Sequence, residues 1–352
     1  MDNKNIFFVD NKLNYSKHTV EYLHSNGLNS WKGWYCSAGL RTLYIDFDGN
    51  VFRGTCGEGG WLGNINVVSG LQDKAHDLLN SVWVQCTKNS CSCGADMAVP
   101  KVKKQHLIYS QFKDTGGHTT SIELKEEKTS VDPMIVMSND YRQFKSVIWD
   151  IGRRCNFDCW YCAPNSHNNF ASQLNFDMLE NCYNNLNNFW MKDERTKFSI
   201  TGGEPTVYKD YLPFVKFLKE KDHIINTTTN GSNTPAYYAE LAEYSDVVFS
   251  IHLNYVKKLG LDKFTDAVEA ALLTTEQGIA NDTVAKYNHI IVRIMLDPGN
   301  LETAKESYNS FKEKFSKYKN FLLSVDVVHE VHNKELLNYT KEELEWATGM
   351  EQ

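Results

Sequence analysis

From about residue 145 onward, short apolar runs alternate with amphipathic ones, and this alternation restricts the fold more than any other property of the chain. The runs at 146–151, 197–201, 223–229, 246–252, 289–296 and 322–328 have the length and β-branched content of strands. Between them, 175–191, 207–221, 234–244, 262–277 and 301–319 repeat apolar residues at helical spacing, and a last helix is expected near 334–347. In the first helix Met178, Leu179, Cys182, Tyr183, Leu186, Phe189 and Trp190 share one face. Asp177 and Glu180 open it, where the helix dipole favours acids. Strands separated by helices predict an α/β domain over 145–348, with a parallel sheet and helical crossovers. Periodicity alone leaves an open sheet and an incomplete barrel equally open.

The turn after the first strand carries Cys155, Cys159 and Cys162 in the run Cys-Asn-Phe-Asp-Cys-Trp-Tyr-Cys, a C-x3-C-x2-C spacing. A 4Fe–4S cluster normally takes four cysteine thiolates, one on each iron. Three thiols with no fourth nearby would hold the cube and leave one iron open to a substrate or cofactor. A structural zinc site, which needs four closed ligands, is the competing reading, with His167 as the next donor. Plain buried cysteines are another. The turn after the second strand reads Thr201-Gly202-Gly203-Glu204-Pro205-Thr206. Sites in parallel α/β proteins lie at the C-terminal ends of strands, so both turns would face one cavity. Thr229-Asn230-Gly231 closes the third strand as a turn signal. Ser250 and His252 share a face of the fourth strand, because side chains alternate. Arg293 sits in an apolar fifth strand and must find a partner or a cavity, since an unpaired buried charge is costly.

The cysteine run with an aromatic residue before its last thiol, its position after an apolar strand, and the Gly-Gly-Glu turn forty residues on together resemble the radical S-adenosylmethionine (SAM) superfamily. The resemblance implies a (β/α)6 partial TIM-like barrel. It implies a 4Fe–4S cluster on Cys155, Cys159 and Cys162, whose open iron chelates SAM through its amino and carboxylate groups. Gly202, Gly203 and Glu204 would bind the amino group, and Thr229 and Asn230 would form the third-strand segment that reaches SAM. Ser250 and His252 match the position of a ribose contact, Arg293 would meet a carboxylate of SAM or substrate, and Met295 would pack on adenine. The activity implied is reductive cleavage of SAM to a 5′-deoxyadenosyl radical that abstracts hydrogen from a substrate C–H bond. A reducing partner such as flavodoxin or ferredoxin is implied with it.

The first hundred residues hold Cys36, Cys56, Cys86, Cys91 and Cys93. Alternating apolar residues from Leu43 to Phe52 flank Asp48-Gly49, a hairpin signal. The stretch from Cys36 through this hairpin to Cys56 and Trp61–Ile65 resembles the SPASM and twitch domains, which hold auxiliary Fe–S clusters. The resemblance implies a small α+β auxiliary-cluster domain over 1–100, here preceding the barrel, where such an extension usually follows it. Five thiols, where that pattern usually carries seven, support one auxiliary 4Fe–4S cluster. Cys36, Cys56, Cys91 and Cys93 are the preferred ligands, Cys86 is the substitute, and a zinc ribbon-like site is the alternative. Residues 101–144 read as a junction, with Lys101–Lys104 as a solvated basic run.

The net charge of −7 argues against general nucleic-acid binding. Nine cysteines in clustered spacings, with no signal-peptide pattern and no bilayer-length apolar stretch, predict a reducing, cytoplasmic setting. Cys182 is expected in the core. The substrate implied by the SPASM likeness is a peptide or protein side chain, with small molecules close behind; oxidation, cross-linking and epimerisation are all open as net reactions. A non-catalytic iron–sulfur electron-transfer module and a zinc-binding protein are the alternatives from other classes.

Overall fold

The computed structural model describes residues 6–67, 71, 83–91, 94–105, 125–138, 144–162, 167–328 and 337–349. The chain divides into two compact units, Met1–Ile148 with Cys182–Lys197, and Trp149–Asn181 with Phe198–Gln352.

The elements of the first unit are β1 (Ile6–Val9), β2 (Tyr15–His18), α1 (Val20–Ser25), β3 (Tyr35–Cys36), β4 (Thr42–Ile45), β5 (Asn50–Phe52), β6 (Trp61–Asn64), β7 (Val84–Gln85), α2 (Gly94–Ala98), β8 (Lys101–Val102) and β9 (Ile135–Ser138). Six of these strands form an antiparallel sheet in the order β2-β1-β9-β8-β3-β7. Both faces of β1 are covered. Ile6 and Phe8 pack with Leu23, Trp31, Met97 and Val136, while Phe7 and Val9 pack with Val102, Ile135 and Met137. Each buried side chain of this size contributes about 1.5–3 kcal/mol. The expected Asp-Gly hairpin is β4–β5, with Gly49 at φ +79° and Asp46 accepting from the Asp48 and Asn50 amides.

Two expectations for 101–144 are corrected. Lys101–Val102 and Ile135–Ser138 are strands of the sheet, too short to stand out from a junction by periodicity. Lys101 is buried, because its ammonium is taken up by backbone carbonyls. Cys93 lies outside the described residues. Trp31 packs in the core, and Cys182 is buried with its thiol donating to Asn66 Oδ1 at 3.2 Å.

The six expected strands are β10 (Lys145–Asp150), β11 (Thr196–Thr201), β12 (Ile224–Thr229), β13 (Asp246–His252), β14 (Ile290–Leu296) and β15 (Phe321–Val327), each within one residue of its expected ends. Residues 149–150 of β10 and 198–201 of β11 belong to the second unit. The strands neighbour one another in sequence order, and the β12–β13–β14–β15 pairs are parallel. The helices are α3 (Phe176–Leu186), α4 (Tyr211–Glu220), α5 (Pro235–Ala242), α6 (Leu253–Leu259), α7 (Leu261–Asn281), α8 (Leu301–Phe315) and α9 (Lys341–Gly349). A π-helical turn, Asn187–Met191, continues α3. α6 was not expected; Gly260, at φ +81°, separates it from α7. α9 starts at Lys341 because Thr340 and Glu343 form a reciprocal capping box. The result is a mixed α/β fold.

The sheet has two unlike faces. Val247, Phe249, Ile251, Val292, Ile294 and Val325 are buried on one. Registered neighbours on the other face include Ser250 with Arg293, His252 with Met295, and Met295 with Asp326. Most of that polar face is half-buried. No helix among the described residues is long and apolar enough to cross a membrane.

Candidate functional site

The cysteine loop and the Gly-Gly-Glu turn continue the β10–β11 contact as a hydrogen-bonded seam. Ile151 N donates to Thr201 O at 2.8 Å, Gly203 N to Gly152 O at 2.7 Å and Glu204 N to Arg154 O at 2.8 Å. The seam explains both glycines. Gly202 has φ +138°, and a Cβ there would lie 2.7 Å from Gly152 O. A Cβ on Gly203 would run into the Arg154 carbonyl. Tyr208 supports the seam from its other side, its hydroxyl accepting from Arg154 N at 2.9 Å.

Glu204 is fully buried, and its carboxylate turns into the protein. Oε1 accepts from Thr206 N (3.0 Å), Thr206 Oγ1 (2.7 Å) and Thr229 Oγ1 (2.8 Å), and Oε2 accepts from Asn230 N. Burial pushes its carboxyl above the ordinary range, while these four donors pull the other way. Glu204 thereby ties the second-strand turn to the end of β12. Thr229 also bonds the Tyr238 hydroxyl, so its side chain is committed to this network.

Cys155 and Cys159 are buried and Cys162 is half-buried. Burial pushes the Cys155 thiol up to about 11 and the Cys159 thiol up to about 12, and each thiolate would raise the others. Metal binding must therefore displace thiol protons. The second unit contains no other cysteine. His167 is engaged instead by Asp158, Nε2 to Oδ1 at 2.8 Å. Three thiols and no fourth fit a cube with one open iron.

The loop is held from several sides. Phe157 N donates to Cys155 Sγ at 3.4 Å, and the Phe157 ring stacks on Tyr255 with centroids 3.6 Å apart. Asp158 N donates to the Tyr255 hydroxyl at 2.6 Å, and Trp160 Nε1 to Asp297 Oδ2 at 3.0 Å. Asn230 Nδ2 reaches Asn156 Oδ1 at 3.0 Å and lies 4.0 Å from Cys155 Sγ, which brings the third-strand residue to the loop. The Tyr161 hydroxyl is hydrogen-bonded to His252 Nδ1. Arg293 finds its partner in Asp326, Nε to Oδ2 at 2.9 Å. Ser250 and Met295 stand on the same sheet face as His252 and Arg293. Asn156, Trp160, Tyr208, Tyr255 and Asp297 were missed in the sequence. Asn156 and Trp160 could have been noted as members of the cysteine run, but the other three carry no local signal.

Burial lowers the His252 imidazole from 6.5 to about 4, so it is neutral at pH 7. Stability tied to this neutral ring is complete above the unfolded value of 6.5 and is lost as pH falls through the folded value. The loss is about 3 kcal/mol. Thermal melts of the metal-free protein at pH 7 and pH 4 should show it, with a smaller acid loss in His252→Phe. Equal acid losses in the two proteins would rule it out.

The first unit gathers a second set of thiols. Cys36 lies on β3, Cys86 follows β7, Cys56 N donates to Asp96 Oδ2 at 3.3 Å, and Cys91 N donates to Asn29 O at 2.8 Å. Burial raises the Cys36, Cys56 and Cys91 thiols, Cys56 to about 11. Cys36 and Cys56 also feel Cys86, and Cys91 feels both of them, so the four thiols share one locality. Among the described residues, no three His, Cys, Asp or Glu side chains converge on the point a single ion would occupy. In a cube, each thiolate takes a different iron.

Residues 149–306 match the family model described as the Radical SAM superfamily. This stretch is a radical SAM domain. It includes the cysteine loop, the Gly-Gly-Glu turn, and β12 to β14. Over 176 residues the chain is 28% identical to a GTP 3′,8-cyclase of Pasteurella multocida strain Pm70, covering 47% of this chain and 50% of that protein. Over 114 residues it is 32% identical to a GTP 3′,8-cyclase of Haemophilus ducreyi strain 35000HP, covering 30% and 32%. The chain thus spans half or less of the length of these two relatives. Among solved structures, Streptococcus suis SuiB bound to S-adenosylmethionine aligns with a TM-score of 0.39 and 18% identity, over 58% of this chain and 46% of that one. In the radical SAM domain the sequence-expected residues Cys155, Glu204, Thr229 and Asn230 form one connected network.

Proposed function

We propose that this protein is a radical SAM enzyme whose second unit is a (β/α)6 partial barrel and whose first unit is a SPASM- or twitch-like auxiliary domain. The observation that carries the reading is the seam between the three-thiol loop and the Gly-Gly-Glu turn, inside the matched segment. A 4Fe–4S cluster with SAM, when bound, supplies one-electron cleavage of the sulfonium C–S bond to methionine and a 5′-deoxyadenosyl radical. Cys155, Cys159 and Cys162 hold that cluster. Gly202 and Gly203 let the turn lie flat against the loop, and Glu204 fixes the turn on which the SAM amino group rests. Asn230 orients the loop through Asn156, while Ser250, His252, Arg293 and Met295 line the polar sheet face for SAM and substrate. Arg293 and Asp326 present one positive and one negative group there, which suits a polar substrate with both donors and acceptors. That substrate is a peptide or protein side chain or a polar small molecule, and a flavodoxin or ferredoxin supplies the electron. Four of the first-unit cysteines hold an auxiliary 4Fe–4S cluster.

Purification and reconstitution without oxygen, followed by reduction and addition of SAM, tests the reading. A brown protein with two clusters that releases 5′-deoxyadenosine is the expected result. Zinc in place of iron, with no SAM cleavage, would sink it. Deuterium transfer into 5′-deoxyadenosine then identifies the substrate. GTP, the compound named for the relatives, is the first small molecule to try, beside peptides.

A further inference from the structure

Lys101 occupies a position that a solvated surface lysine would not. It is 2% exposed and lies on β8, directly opposite Cys36 on β3. Facing residues of an antiparallel pair hold their Cβ atoms about 5 Å apart on the same sheet face. The ammonium donates to the carbonyls of Asp96 (2.6 Å), Val99 (2.8 Å) and Met97 (3.2 Å), at and beyond the end of α2. It also lies 4.5 Å from the centroid of the Trp31 ring. All three of its protons are used. It forms no ion pair among the described residues, although a buried charge is costly unless an anion is near. Asp96 turns its own carboxylate elsewhere. Oδ2 accepts from Thr55 Oγ1 at 2.6 Å and from Cys56 N, while Oδ1 is buried with no partner. At Cys36 and Cys91 the ammonium outweighs the Asp96 carboxylate, which acts in the opposite direction.

We propose that Lys101 is the built-in counter-charge of the centre formed by Cys36, Cys56, Cys86 and Cys91, and that it poises this centre to accept an electron. The inference rests on the auxiliary-cluster reading. Four metal-bound thiolates bring negative charge into an interior where this ammonium is a fixed cation beside the buried Arg53 guanidinium, whose Nε donates to Ala38 O at 2.7 Å. Reduction adds one further negative charge, so a buried ammonium on the residue facing Cys36 stabilises the reduced state more than the oxidised one. In that one-electron step the cluster is reduced and its donor is oxidised, with no covalent bond made or broken at the cluster. Dithionite is the donor in the test, and a substrate-derived radical is the donor in turnover.

The test uses the full chain carrying Cys155→Ala, Cys159→Ala and Cys162→Ala, which leaves only the first-unit thiols to hold iron. Lys101→Gln keeps a donor for the carbonyls without the charge, and Lys101→Arg keeps the charge. Iron and sulfide content and a redox titration followed by electron paramagnetic resonance are measured on each. One cluster per chain is expected in the parent, a midpoint shifted to more negative potential in Lys101→Gln, and a midpoint near the parent's in Lys101→Arg. Loading by Lys101→Arg but not by Lys101→Gln would also support the proposal, because charge is then needed to assemble the centre. A fully loaded Lys101→Gln with the parent's midpoint overturns it. So does equal failure of both variants to load, which would make Lys101 a packing residue. A parent without iron overturns the auxiliary centre itself, and the role of Lys101 with it.

Discussion

Replacing Cys155, Cys159 and Cys162 together by alanine is expected to abolish SAM cleavage and remove one of two clusters, while the first unit keeps its iron. These are the only cysteines of the second unit, so no thiol within it can substitute. Cys155 engages the protein weakly, through the Phe157 amide at 3.4 Å and the Asn230 side-chain amide at 4.0 Å, and Cys159 bonds the Tyr161 side chain. Their truncation should therefore cost only about 1 kcal/mol each in metal-free stability. The loop is fixed by other groups, chiefly the Phe157–Tyr255 stack and the Asp158, Trp160 and Tyr161 hydrogen bonds. Loss of activity without loss of fold is the discriminating pattern. Release of 5′-deoxyadenosine should fall by at least about a thousand-fold, because the cofactor carries the difficult chemistry. Iron analysis, thermal melts and product quantification on the same sample check all three parts. Cleavage surviving the triple change would show that the loop is not the site.

Gly203→Ala is expected to disable the site almost as thoroughly without touching a ligand. The added methyl would meet the carbonyl of Arg154 and lie 2.8 Å from the carbonyl carbon of Arg153. Both are backbone groups of the cysteine loop, so no side chain can swing aside. The seam must open by a fraction of an ångström or more, breaking the Gly203 N–Gly152 O and Glu204 N–Arg154 O hydrogen bonds. The stability cost is about 2–4 kcal/mol, in the range of overpacking combined with lost backbone bonds. A displacement of about 1 Å in a reacting constellation can cost on the order of a hundred-fold in rate. SAM cleavage should fall by that factor even where the cluster loads fully. Gly349→Ala, where an added methyl meets nothing within 4 Å, is the control and should leave stability and cleavage unchanged. Wild-type cleavage in Gly203→Ala would mean that the loop and the turn do not act as one unit.

The second unit was the more legible part of the chain, and the reason is period. Strands of six or seven residues separated by amphipathic helices leave a strong one-dimensional pattern, and β10 to β15 fell within a residue of their expected ends. The first unit was harder, because its sheet is built partly from two-residue strands such as Tyr35–Cys36, Val84–Gln85 and Lys101–Val102. Two residues carry no measurable alternation; only their partners across the sheet define them. α6 was missed for a related reason. Leu253–Leu259 follows β13 without a gap, and seven residues are too few to separate a helix from the strand end before it.

The sequence by itself determined the strand–helix order, the three-thiol loop after one strand and the Gly-Gly-Glu turn after the next, because period and turn chemistry are written within a few neighbouring residues. Tertiary structure alone decided where the polar groups point. It turned the Glu204 carboxylate inward to residues up to 26 positions away, gave His252 a partner 91 positions distant in Tyr161, and buried Lys101 opposite Cys36. A polar side chain takes whichever partner the folded chain brings within reach, and a local pattern does not record that choice.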